Sequence, residues 1–240
     1  MKKYTFRKCW DLLKKMINKN IYGDIAHELD DKPSFYCFES SIDAEKWGED
    51  HYACWAKRYK EIMHIAADIN RREVSYPFCT IEEYCGHVYK EINSYLRGNY
   101  QGDSEAMYKE MSHILIMLLC EAPRIPDNIV VYRLVSEKFM SELYRNNQSG
   151  LPTIEPGLMS TSMFESIVGS DEAYAQHKNI LKIYIPKGTP GIYVNAVTQR
   201  SEYEVLLAPN RYLAMISYPY KSKCGKVITE CKLLNTEGSM

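Results

Sequence analysis

The hydrophobic pattern changes period once, near residue 125, and that change decides the fold class. Up to about residue 121 apolar residues recur at helical spacing; from about residue 128 they form short β-branched runs or alternate. Helices followed by strands, instead of alternating β-α-β units, predict an α+β architecture. We read one domain over 1–240, with a mainly helical part over 1–125 and a mainly β part over 126–240.

In the opening segment Phe6, Trp10, Leu13 and Ile17 make one apolar stripe on an otherwise basic helix. The basic helix over 4–17 is either a docking element for a membrane surface or partner, or a helix packed on the domain with solvated lysines. A second helix is expected to start near Asp43 as N-cap and to carry Trp47 and Trp55 into the core. Over Ile81 to Arg97, Tyr84, Val88, Ile92 and Tyr95 fall in one narrow arc, with Tyr89 and Asn93 on its flank. Ser104 can cap a further helix with Met107, Met111, Ile114 and Leu118 as its stripe, ended by Pro123 and Pro126. Strands are expected at 128–135, 179–185, 203–207, 212–218 and 226–234. The stretch from Glu142 to Gly157 reads as the longest loop.

Composition demotes several functions. Thirty Lys+Arg against thirty-one Asp+Glu leave no global cationic field, so no nucleic-acid partner is expected. The longest unbroken apolar run, Ile114 to Cys120, is far short of the roughly twenty residues of a membrane-spanning helix. The first nineteen residues hold seven basic residues and one acid, but charges interrupt every apolar stretch, so a Sec-type signal is not expected. Eight cysteines lie scattered without a C-x-x-C pair and read as reduced structural thiols. Cys79, Cys85 and His87 lack a fourth ligand at zinc-like spacing, so no metal is expected. Neither the P-loop frame nor G-x-G-x-x-G occurs.

Three fragments of the β part carry chemistry. Glu202-Tyr203-Glu204 stands at the mouth of a strand, where alternation would send both carboxylates to one face with Cα atoms about 6.8 Å apart. Paired acids suit reactions at an anomeric carbon, where a developing oxocarbenium ion needs negative charge and the nucleophile needs orienting. Arg133, inside the run Val130-Val131-Tyr132-Arg133-Leu134-Val135, needs an anionic partner, either a carboxylate in a buried ion pair or a phosphate. Ser160-Thr161-Ser162 offers hydroxyls that could position a carboxylate or simply pair across strands. Each fragment alone is weak; their order on successive strands is not.

With these motifs in hand, the chain resembles the bacterial mono-ADP-ribosyltransferases of the Arg–Ser–Glu class, in particular the enzymatic components of clostridial binary toxins. The likeness runs from Ala44-Glu45-Lys46-Trp47-Gly48 through Glu91-Ile92-Asn93-Ser94-Tyr95-Leu96-Arg97-Gly98 and Tyr132-Arg133 to Ser160-Thr161-Ser162 and Glu202-Tyr203-Glu204-Val205-Leu206-Leu207. It implies a helical N-terminal part packed on two roughly perpendicular, mostly antiparallel β-sheets, with NAD as substrate in the cleft between them. It implies that Arg133 grips the NAD phosphates, Ser160 orients Glu204, Glu204 stabilises the oxocarbenium ion, and Glu202 orients or deprotonates the acceptor. Tyr84, Tyr89 and Asn93 match helix positions that reach the cofactor, and Leu134 and Thr161 fall beside the matching motifs and join the binding set.

The resemblance also implies a protein acceptor, nicotinamide release, and a secreted or injected effector acting in the cytosol of a target cell, or a cytoplasmic enzyme if not exported. A glutamate at position 202 favours an arginine acceptor, because carboxylate and guanidinium pair in a planar fork. Departures narrow this. Leu134 stands where some relatives have a second arginine, Met163 to Lys178 holds no arginine, and the turn from Ala196 to Ser201 has Gln199 and Arg200 in place of the aromatic residue of actin-modifying relatives. Actin is therefore one candidate acceptor. A second, inactive copy of the domain has no room in 240 residues. NAD hydrolysis at the same site and a non-catalytic partner-binding domain are the alternatives.

Overall fold

The computed structural model describes residues 2–29, 31–73, 79–166, 178–198, 200, 202–222 and 225–234. Among the described residues six α-helices precede or interrupt the sheet: α1 Lys2–Tyr22, α2 Ser41–Glu73, α3 Ile81–Glu83, α4 Tyr89–Leu96, α5 Glu105–Glu121 and α6 Glu137–Gln148. The strands are β1 Ile129–Val135, β2 Thr153–Glu155, β3 Met159–Ser162, β4 Asn179–Ile185, β5 Gly191–Tyr193, β6 Glu204–Leu207, β7 Arg211–Met215, β8 Tyr220–Lys221 and β9 Val227–Leu234. The α+β expectation is met.

The sheet runs β2-β7-β9-β4-β1-β3-β6-β5, with β8 added beside β9. Among the described strands β4 and β9 pair in parallel and the other neighbours are antiparallel. Its two halves meet weakly. Long ladders join β1 to β4 and β4 to β9, whereas β1 and β3 share a single register pair, Tyr132↔Ser162. The strands β3, β6 and β5 thus form a small subsheet hinged on the larger one, and Arg133 and Glu204 stand on opposite sides of that junction.

α2 packs its buried face, Ala44, Trp47, Tyr52, Ala56 and Tyr59, toward the small subsheet. Trp47 Nε1 donates to Asp127 at 2.9 Å, and its ring meets Tyr193 of β5 edge-on. Trp55 is half-buried, stacked on Tyr59. The helix begins at Ser41, two residues before the expected cap: Ser40 takes the capping position, its Oγ accepting from Asp43 N at 3.2 Å, while the Asp43 carboxylate accepts the Tyr36 hydroxyl at 2.5 Å.

α3 starts in a capping box: Thr80 Oγ1 accepts from Glu83 N at 3.0 Å, and the Glu83 carboxylate accepts from Thr80 N at 2.8 Å. Between α3 and α4 the backbone widens into a π-turn over Tyr84–Val88. In α5 the buried positions are Met111, Ser112, Leu115 and Leu119, so the core face is turned by about one residue from the expected stripe. Ser104 is the N-cap but makes no side-chain cap bond.

The expected loop from Glu142 to Gly157 is a correction. It holds the end of α6 and all of β2. Ser136 caps α6, whose Met140 and Leu143 are buried. Asn147, which read as a loop former, instead donates to the carbonyls of Tyr22 at 2.6 Å and Asp24 at 3.0 Å, fastening the end of α1. Leu13 and Ile17 of α1 are 47% and 48% exposed, and the contacts from Asn147 hold the helix at its C-terminal end; the side chains of Phe6 and Trp10 lie outside the described residues.

Candidate active site

Glu204 opens β6 and is the most buried acid of the candidate set, with only 3% of its surface exposed. Ser160, diagonal to Glu204 across the β3–β6 ladder, and the Cys85 thiol of the π-turn stand close enough to its carboxylate for hydrogen bonding from both to favour the ionised form. Burial raises the Glu204 pKa above the ordinary carboxylate range and Glu202 pushes it further up. The Ser160 and Cys85 hydrogen bonds and the Arg200 charge oppose that rise without cancelling it. Burial also lifts the Cys85 thiol, so it stands beside the acid as a neutral donor.

Glu202 does not share a strand face with Glu204. The strand begins only at Glu204, and Tyr203 adopts the left-handed region at φ 46°, which costs a non-glycine residue energy and must be held by its surroundings. Ser162 Oγ donates to Glu202 O at 2.8 Å, Met163 N donates to Tyr203 O at 3.1 Å, the Tyr203 ring meets Phe164 edge-on, and its hydroxyl donates to Glu45 at 3.1 Å. What joins the two acids is Arg200. Its Nη2 lies 3.0 Å from Glu202 and its Nε 3.9 Å from Glu204, while Nη1 donates to the Cys85 carbonyl at 2.5 Å. Asn195 donates to the Arg200 carbonyl and accepts from Glu204 N at 3.4 Å, fixing both ends of the turn.

The opposite wall is built on Glu155. This buried carboxylate takes a two-point contact from Arg97, at 2.9 and 3.1 Å, and a further contact from Arg133 Nη2 at 3.3 Å. Burial alone would raise its pKa, but the two guanidinium groups and the Gly157 amide bring it below the ordinary range. Arg133, with 17% of its side chain exposed, has its own pKa lowered by burial, with Glu155 opposing. Both alternatives for Arg133 therefore begin from an ion pair that already exists.

Tyr84 joins the two walls. Its buried phenol accepts from Asn93 Nδ2 at 2.8 Å, and the Glu204 charge raises its pKa while the Arg133 charge opposes that rise. Asn93 Oδ1 is buried with no partner. Gly157 lies against it: a Cβ there would come within 2.7 Å of Asn93 Oδ1 and 3.1 Å of Arg97 Nη2. Tyr89 is half-buried on α4 with Lys90 over its ring. Two candidates point elsewhere. Thr161 Oγ1 donates to Val205 O at 2.7 Å, on the core side of β3, and Leu134 packs with Tyr132 against Ile180 and Ile228.

Sequence reasoning did not find Cys85, Glu155 or the part played by Arg97. Their roles come from contacts between distant segments, and the only local sign was a charged residue inside the Leu96-Arg97-Gly98 stretch. Of Gln199, and of 167–177 within the arginine-free Met163 to Lys178 stretch, the positions lie outside the described residues. Among the described residues there is no group of three or more His, Cys, Asp or Glu that could hold a metal ion, and no helix long and apolar enough to cross a membrane.

A cleft of about 610 Å³ lies on the far side of Arg200, between α2 and the turn that follows β5, lined by Glu45, Glu49, Tyr193 and Asn195 among others. Arg200 lines this cleft, whereas Glu204, Tyr84 and Arg133 do not.

The fold is that of an ADP-ribosyltransferase. The family model for the ADP-ribosyltransferase exoenzyme domain matches residues 44–218, and the chain belongs to that family. Among solved structures it is similar to the ADP-ribosylating toxin BECa of a binary enterotoxin of C. perfringens, solved with NADH, at TM-score 0.62 and 22% identity over 84% of this chain and 50% of that one. It is also similar to C3stau2 from S. aureus, solved with NAD, at TM-score 0.58 and 21% identity over 85% of this chain and 100% of that one. A third is the ADP-ribosyltransferase Vis, solved with agmatine, at TM-score 0.53 and 16% identity over 85% and 90% of the two chains. None of the curated proteins matches in sequence.

Proposed function

We propose that the chain transfers ADP-ribose from NAD to an arginine of an acceptor protein and releases nicotinamide, as an effector acting inside a target cell. The observation that carries the reading is the buried Glu204 held by Ser160 and Cys85, with a second acid, Glu202, beside it on the outer side. Solved relatives carry NADH, NAD or agmatine, a small guanidine, which fits the same donor and the same kind of acceptor.

The residues present fit the dinucleotide. Asn93 Oδ1 is a buried acceptor without a partner, the glycine at 157 leaves room for close approach, and Arg97 and Arg133 together outnumber their one carboxylate, leaving positive charge for phosphate oxygens. In the reaction, Glu204 stabilises positive charge at the nicotinamide-ribose carbon as the bond to nicotinamide breaks, while Ser160 fixes its orientation. Glu202 pairs with the incoming guanidinium and receives the proton it loses on attack. The exposed apolar side chains of α1 fit a role in docking to a partner surface. Actin stays one acceptor among others, since the turn carries Arg200 in place of an aromatic residue.

Glu204→Gln preserves size and the Ser160 contact but removes the charge. Label transfer from NAD to arginine-bearing protein should fall by about a hundredfold or more, on the scale of losing one preorganised electrostatic contact, with the melting curve otherwise normal. Undiminished transfer would end the assignment. Nicotinamide release that does not accelerate when an acceptor is added would identify water as the acceptor instead.

A further inference from the structure

The proposed acceptor site already contains a guanidinium. An arginine presented by another protein would have to pair its fork with Glu202 and lie beside Glu204, and Arg200 does both from within the chain, at 3.0 and 3.9 Å. Its remaining amino group is tied to the Cys85 carbonyl at 2.5 Å, and its own carbonyl is held by Asn195. Three side-chain contacts and one to its carbonyl make this a built position and not a side chain drifting at the surface; about a quarter of the Arg200 side chain, 27%, is exposed. The side chain also lines the acidic cleft between α2 and the turn, so an acceptor segment coming from that cleft meets Arg200 before it meets the acids.

We infer that Arg200 is a resident occupant of the acceptor position, which an incoming arginine must displace, and that with NAD alone it is itself the residue that receives ADP-ribose. This rests on the transferase reading above. In the step, an Nη atom of Arg200 forms a bond to the anomeric carbon of the nicotinamide ribose as the bond from that carbon to the nicotinamide nitrogen breaks. Nicotinamide leaves with the electron pair as a neutral molecule. The proton lost by the guanidinium passes to Glu202, so charge and atoms balance. Once modified, Arg200 carries a bulky anionic group across the two acids, and the site is closed to a further acceptor.

The experiment is incubation of the full chain with NAD alone and with added agmatine, followed by intact-mass measurement and fragmentation. The expected result is a gain of a single ADP-ribose at Arg200, at a first-order rate independent of protein concentration and slowed by agmatine as the latter becomes labelled. Arg200→Lys keeps a cation beside both acids yet removes the guanidine. It should lose the self-label and modify agmatine with a KM at least threefold lower. If agmatine is labelled while Arg200 stays unmodified, or if the self-label maps to another residue or grows with protein concentration, the inference fails and the transferase reading stands. If neither agmatine nor the chain is labelled and NAD is not consumed, both fail together. The wild-type mapping needs no variant to fold.

Discussion

Burial lifts the Glu204 carboxyl above the ordinary glutamate range, and its hydrogen bonds from Ser160 and Cys85 and the nearby Arg200 only partly restore it. The proposed chemistry needs the ionised form. Nicotinamide release should therefore show an acid limb at a pH above the ordinary glutamate value of about 4.3, and kcat should rise with pH through that limb. The sign for stability is opposite: a carboxyl whose folded value is raised binds its proton more tightly in the fold, so its contribution to stability is largest at low pH and declines as pH climbs from the ordinary value through the raised one. Arg200→Gln removes a charge that favours ionisation and should move the acid limb upward. A limb at or below the ordinary value, unmoved in that variant, would show that Glu204 does not set it. Much of this site was legible in the chain, because Arg133, Ser160, Glu202 and Glu204 each stand in a local motif whose neighbours give it away. Cys85 was not, since a lone thiol acquires its role only when the π-turn brings it against a strand well over a hundred residues later.

Elements were legible by type and less so by angle. Periodicity found α5 but set its buried face one residue away, since a 100° turn per residue leaves adjacent stripes nearly equal until the packing partner is known. The segment after Glu142 failed for another reason. Asn146, Asn147 and Gly150 signalled a loop, yet Phe139, Met140, Leu143 and Tyr144 carry helical spacing, and tertiary bonds from Asn147 to α1 outweighed local preference. Glu155 at the end of β2 is the cost of missing that segment, for it neutralises Arg133 across the sheet. Its lowered value means that its stabilising contribution is complete above the ordinary glutamate range and is lost as pH falls through the folded value. Glu155→Ala leaves two guanidinium groups facing each other and should destabilise by about 3 to 5 kcal/mol, read as a fall in the denaturant midpoint at unchanged slope. On α2, Gly48 lets the helix lie against the Tyr193 ring, where a Cβ would come within 2.1 Å of a ring atom. Gly48→Ala should cost about 1 to 3 kcal/mol through overpacking; a variant as stable as the parent would mean that Tyr193 yields freely.

At the scale of the whole molecule, the weak seam between β1 and β3 sets what a ligand can do. Arg133 stands on the large subsheet and Glu204 on the small one, and one register pair joins the strands that carry the seam. A dinucleotide gripped at its phosphates from one side and at its nicotinamide ribose from the other would tie the halves together, so its binding energy appears directly as resistance to unfolding. At NAD concentrations about a hundred times Kd the gain is about 2.7 kcal/mol, which for a chain of this size raises Tm by about 5 to 10 °C. Arg133→Gln and Glu204→Gln sit on different subsheets, yet each should shrink that NAD-dependent rise, whatever it does to the starting Tm. Leu12→Ala, on the exposed face of α1, should leave the rise as it was. An undiminished rise in Arg133→Gln would mean that NAD is held by the small subsheet alone, and the idea that the ligand spans the seam would have to be given up.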